Sequence, residues 1–282
     1  MSTEDTYIPF SQRTGLAQRP PQLGLGEVSS ELRRLFYYYL DLEIEREECF
    51  GVDSSYFDGD WKRVAKDLHV LFFRKSSNTF TNSPYELRQV LDQYIKAAEI
   101  GRLFDLVEFF VRHPKSSSEL KQDLSTAFVS AKAAYRIIEN QIVAIGTEQQ
   151  AEAFEVAIAA TEASGAVAAR KHLIDAGVEI RAGNWSSSVR ESIHAVEAMA
   201  LMLVPKATTL GPALSKLEKE GYLHGSLKSA FSTLYGYASD EEGVRHALVF
   251  KDEAQVDEAD ALFMLGACAS FVSYLIMRSA GE

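Results

Sequence analysis

Helical periodicity along most of the chain, an alanine-rich second half and one short β-branched segment predict a mainly all-α protein of two helical domains. The β-branched segment, Tyr135 to Ile145, has such residues on both sides of Glu139-Asn140 and predicts one small hairpin near 135–145. Gly146 closes it, so the expected domains are 1–146 and 147–282.

The elements follow in order. Residues 1–28 hold three of the seven prolines and show little periodicity, which predicts an extended arm. Ser29 or Ser30 caps a helix over 30–46, where Leu32, Leu35, Phe36, Tyr39 and Leu40 recur at helical spacing. Asp53 to Asp60 reads as a loop, and Trp61 to Lys75 as a helix with Val64, Leu68 and Leu71 to Phe73 inward. Ser83 caps the next helix with Pro84 at its first position, where the missing N–H costs nothing. Gly101 breaks or bends that helix, Leu103 to Val111 continue to Pro114, and Ser116 to Ser118 start another. From Glu148 the pattern predicts helices over 148–162, 166–182, 185–203, 209–220, 226–235, 240–250 and 255–279.

Hydrophobic residues make up 46% of the 282 and charged ones 24%, enough apolar content for a real core. The net charge of −11 excludes bulk electrostatic attraction to nucleic acid. Neither half is a basic platform, with 18 basic against 22 acidic residues in 1–151 and 11 against 18 in 152–282. RNA contact therefore needs a local patch. Cys49 and Cys268 form neither a disulfide framework nor a metal set, which fits a reducing cytoplasm. No His/Cys/Asp/Glu spacing suggests a metal, and no cofactor is expected. The acidic start, Met1 to Asp5, is unlike a secretory signal. The uncharged run Ala261–Met277 is short for a membrane span and carries small residues at its middle, so a buried or dimer-interface helix is expected.

Two polar constellations stand out. In the first, Ser239 and Glu242 have the spacing of a capping box, with Asp240 suited to the positive end of a helix beginning there. Arg245 and His246 follow, residue types that bind phosphate and move protons near neutral pH. In the second, Arg190 and His194 share one helix face, Glu191 flanks them and Glu197 lies one turn beyond His194. An imidazole that takes the 2′-hydroxyl proton and a guanidinium that holds phosphate oxygens are what metal-free RNA cleavage requires. Ordinary ion pairs on solvated helix surfaces would show the same spacings. His69 lies in an amphipathic helix, His113 ends one beside Pro114, where a cation suits the dipole, and His172 and His224 stand alone.

These residues carry a resemblance. Pro9-Phe10-Ser11-Gln12-Arg13-Thr14-Gly15, Glu31-Leu32-Arg33-Arg34 and the Tyr135–Ile145 segment resemble the AbiJ-type N-terminal domain of bacterial abortive-infection proteins. Ser188 to Glu197, Thr208 to Gly211 and Leu234 to Leu248 resemble the HEPN-like domains fused to it. The resemblance implies a HEPN-like helical bundle that dimerises and acts in antiphage defence. It also implies a metal-independent ribonuclease toxin acting on tRNA or mRNA, with Arg245, His246, Arg190 and His194 catalytic. Glu191, Ser239, Asp240 and Glu197 would support them. The family's Arg and His are separated by four to six residues, whereas three lie between Arg190 and His194, and Arg245 and His246 are adjacent. Helical neighbours point about 100° apart, so a composite site within or across subunits is the expected remedy. The competing expectation is a non-catalytic HEPN-like sensor or scaffold within a defence complex. A phage trigger or defence-system partner is expected in either case, and a third reading has residues 1–145 sense the trigger and restrain the second domain.

Overall fold

The computed structural model describes residues 10–14, 16, 21–51, 54–239 and 256–279. Helices account for most of them, joined by two small two-stranded sheets, so the chain is mainly all-α. It divides into two compact units between Ile142 and Val143.

In the first unit, a short turn of helix, α1 (Phe10–Arg13), precedes α2 (Ser30–Glu47). The Ser29 hydroxyl accepts the Leu32 N–H at 3.1 Å and caps α2. α2 buries Leu32, Leu35, Phe36, Leu40 and Ile44 among α4 (Pro84–Ala97) and α6 (Ser118–Ser130). Phe36 meets Phe128 edge to face, Phe128 meets Phe104 of α5 (Ile100–Arg112), and Phe104 meets Tyr135, which makes a continuous aromatic core. Glu43 is fully buried, held by the Trp61 indole N–H at 3.0 Å and Arg46 at 3.1 Å.

Three expectations for this unit need correction. The stretch after the first helix, including the loop read over Asp53 to Asp60, contains a second antiparallel sheet, β1 (Glu48–Phe50) with β2 (Ser55–Phe57), in register Glu48 to Phe57. The helix expected over 61–75 is α3 (Gly59–Asp67), which widens into a π-helical turn at Leu68–Phe72. The break between α4 and α5 falls at Ala98 and Glu99, both extended, rather than at Gly101. Gly101 sits in the first turn of α5, where its N–H has no helical partner to lose.

The expected hairpin is present as β3 (Tyr135–Ile138) and β4 (Gln141–Ala144). Glu139 and Asn140 turn it with φ of 49° and 61°, the two positive values of a tight hairpin turn.

The second unit opens with α7 (Glu148–Ala163), whose N-terminus carries a complete capping box between Thr147 and Gln150. α8 (Val167–Arg181) and α9 (Trp185–Leu203) form an antiparallel hairpin through Gly183, whose φ of 76° suits glycine alone. α10 (Leu210–Lys219) and α11 (Gly225–Ser239) pack together and on α9. The last helix, α12 (Glu258–Ser279), lies against α7, α8 and α9. It buries Met264, Leu265, Cys268, Phe271, Val272, Leu275 and Ile276. Among the described residues it is the one helix long and apolar enough to cross a membrane, yet half of its most apolar window is buried inside the protein. It is the core helix of this unit.

Tyr235-Gly236-Tyr237-Ala238, which lies at and beyond the end of the helix expected over 226–235, is helical, and Ser239 ends α11 instead of standing before a new helix. A glycine costs a helix interior about 1 kcal/mol, too little to end it. The helix expected over 240–250, with Asp240, Arg245 and His246, lies outside the described residues.

Candidate functional site

The α8–α9 hairpin brings together side chains that the sequence separates. α8 turns Ala169, Leu173, Ile174, Ala176 and Ile180 inward, and α9 turns Val189, Ile193, Val196 and Met199 inward. His172 on α8, with Glu191 and His194 on α9, therefore falls at the rim of the packed seam. All three stay partly open to water, with side chains 32%, 28% and 40% exposed.

The Glu191 carboxylate faces both imidazoles. His172 Nδ1 is 2.6 Å from Glu191 Oε2, a short bond of the charge-assisted kind. His194 Nδ1 stands 4.0 Å from Glu191 Oε1. The two rings meet edge to face with centroids 5.3 Å apart. One ligand-capable atom from each of the three residues lies within 4.8 Å of the others. Asp175 sits near His172 on α8; burial pushes its carboxyl above its ordinary value, Lys171 opposes that, and the Glu191 charge adds to it.

Arg190 occupies the preceding position on α9 and is exposed, its guanidinium 3.5 Å from the Ser187 hydroxyl. It stands one turn from His194, as its spacing requires. Glu197, also expected nearby, is engaged elsewhere: the Leu210 backbone N–H donates to its Oε1 at 2.9 Å. Thr209 makes no side-chain cap on α10, so Glu197 supplies the acceptor that this helix start lacks. Ser239 is helical, while Asp240, Arg245 and His246 lie outside the described residues.

The arrangement offers two imidazoles, a carboxylate that orients one of them, and an exposed guanidinium one helical step away. His172 is the member that sequence spacing missed. The signal was present: His172 precedes Gly183 by eleven residues and His194 follows it by eleven, so a tight helical hairpin must level them.

A family model for AbiJ N-terminal domain 4 matches residues 9–160. The chain belongs to that family. Its membership points to abortive-infection defence. The AbiJ match takes in the first unit, the β3–β4 hairpin and most of α7, and it stops before α8 and the histidine cluster. No curated protein and no solved structure matches the chain.

Proposed function

We propose that this AbiJ-family chain is an antiphage abortive-infection effector whose second unit, a HEPN-like helical bundle, cleaves RNA without a metal. The observation that carries this reading is the meeting of His172, Glu191 and His194 across α8 and α9, with Arg190 on the adjoining face.

Cleavage of RNA by its own 2′-hydroxyl needs a base, an acid and a cation for the phosphate. His194 takes the 2′-hydroxyl proton as that oxygen attacks the adjacent phosphorus. Arg190 holds the non-bridging oxygens, whose charge grows in the transition state. The bond from phosphorus to the 5′-oxygen breaks, and His172 in its protonated form gives that oxygen a proton. The products are a 2′,3′-cyclic phosphate and a 5′-hydroxyl. Glu191 fixes the orientation of the His172 ring through the 2.6 Å bond. Arg245 is the candidate for a second phosphate contact and His246 for an alternative acid or base, with Asp240 and Ser239 supporting them.

In this reading the chain works in the cytoplasm as a homodimer on tRNA or mRNA and answers to a phage trigger or defence-system partner. The competing reading is a non-catalytic scaffold, favoured by the lean of the Arg190 guanidinium toward Ser187 on its own helix. Induced expression in a bacterial host separates the two. A ribonuclease arrests growth, and His194→Ala or His172→Ala abolishes the arrest at equal protein level. Growth arrest that survives both substitutions, or no arrest from wild type with phage present, overturns the ribonuclease reading.

A further inference from the structure

We propose that His172, Glu191 and His194 also form a binding site for one divalent transition cation, zinc above all. Two imidazoles and a carboxylate are a donor set that favours borderline cations over calcium or magnesium, which prefer oxygen donors alone. Both histidines present Nδ1 to the same carboxylate, at 2.6 Å and 4.0 Å from its two oxygens. Ligands about 2.0–2.1 Å from one tetrahedral zinc stand roughly 3.3 Å apart. The pair at 2.6 Å must open and the pair at 4.0 Å must close, each by less than about 1 Å, which half-exposed side chains achieve by small torsions. No two of the three ligand atoms start more than 4.8 Å apart.

The site joins two helices. His172 belongs to α8 and the other two ligands to α9, so a bound cation would tie the hairpin together beyond its apolar seam. Glu191 and His194 are three apart, the helical spacing that places two ligands on one side of a metal. Partial exposure leaves the cation a path from solvent and room for water in the fourth position. Asp175, the next carboxylate along α8, contributes negative charge to the surroundings and partly offsets Lys171.

Binding stands on this geometry alone. Its consequence rests on the ribonuclease reading: a cation on the imidazole nitrogens occupies the lone pairs that acid–base chemistry uses, so cation and RNA cleavage exclude each other. The site then makes a zinc-sensitive off-state.

The test titrates chelator-treated full-length protein with Co²⁺, followed by its visible absorption, and displaces the Co²⁺ with Zn²⁺. The expected result is one equivalent per chain, weakened roughly tenfold or more in His172→Ala and in His194→Ala. Glu191→Gln, which keeps size and hydrogen bonding, should weaken it as well. His224→Ala, at an exposed histidine away from the cluster, should bind as wild type does. Circular dichroism of each variant establishes folding. Binding unchanged in His172→Ala and His194→Ala, binding lost in His224→Ala, or no binding by folded wild type overturns the proposal. Absent binding with intact RNA cleavage removes the cation site and leaves the ribonuclease reading. Binding without any cleavage removes the ribonuclease and leaves the cation site.

Discussion

His172 Nδ1 and Glu191 Oε2 lie 2.6 Å apart across the α8–α9 seam, nineteen residues distant in sequence. A bond this short between partly exposed groups orients the imidazole more than it stabilises the fold, because exposed ion pairs contribute little net free energy. Glu191→Gln should therefore leave the urea midpoint almost unchanged while slowing RNA cleavage by about tenfold or more. Equal losses of stability and activity would make the pair a structural pin.

Glu197 answers a different need. Its Oε1 accepts the Leu210 N–H at the start of α10, where Thr209 supplies no side-chain cap. Glu197→Ala should lower stability by about 1 kcal/mol, read from denaturant unfolding. Glu197→Gln keeps an acceptor oxygen and should recover most of that. Cleavage by the folded Glu197→Gln variant should match wild type; a large drop would return Glu197 to the chemistry.

In the first unit, Arg88 bridges Asp41 at 2.6 Å and Glu48 at 2.9 Å. Burial pushes the Glu48 carboxyl up, but hydrogen bonds from Ser55 and Arg88 outweigh it and hold the group below its ordinary 4.5. Asp67 behaves likewise through Arg63 and His113, below its ordinary 3.8. A depressed carboxyl contributes stability that is fully present above its unfolded value and disappears as pH falls through the folded one. Arg88→Met should thus destabilise clearly at pH 7, and the difference from wild type should shrink below about pH 4.5. Urea midpoints across that range give the comparison, and a gap that stays constant contradicts it.

Cys268 is buried in α12, and burial pushes its thiol up to about 12. At neutral pH it carries almost no thiolate, the form that alkylating reagents attack. A Cys49→Ser variant should therefore resist iodoacetamide while folded and take up one label per chain in denaturant. Prompt labelling of the native protein would place Cys268 at an accessible surface.

Much of the fold was legible because its signals are local. The Ser29 and Ser83 caps, Pro84 at a helix start and the apolar stripe of α9 state their elements within a few residues. The Glu139-Asn140 turn also announced itself, through β-branched residues on either side. The β1–β2 sheet did not, since three-residue strands directly after a long helix leave no alternation to detect. The widening of α3 into a π-helical turn at Leu68 has no local marker in the sequence. In the candidate site, Arg190, Glu191 and His194 were visible because one helix carries them. His172 was not, because it joins them only after α8 folds back on α9.

The decisive measurement is cleavage of total bacterial tRNA and mRNA by purified full-length protein with EDTA present, comparing wild type, His172→Ala and His194→Ala. Wild type should yield 2′,3′-cyclic phosphate ends with chelator present, and each variant should be slower by about 10²- to 10⁴-fold while remaining folded. No cleavage by folded wild type, or cleavage retained in both variants, would contradict a ribonuclease site on the α8–α9 hairpin.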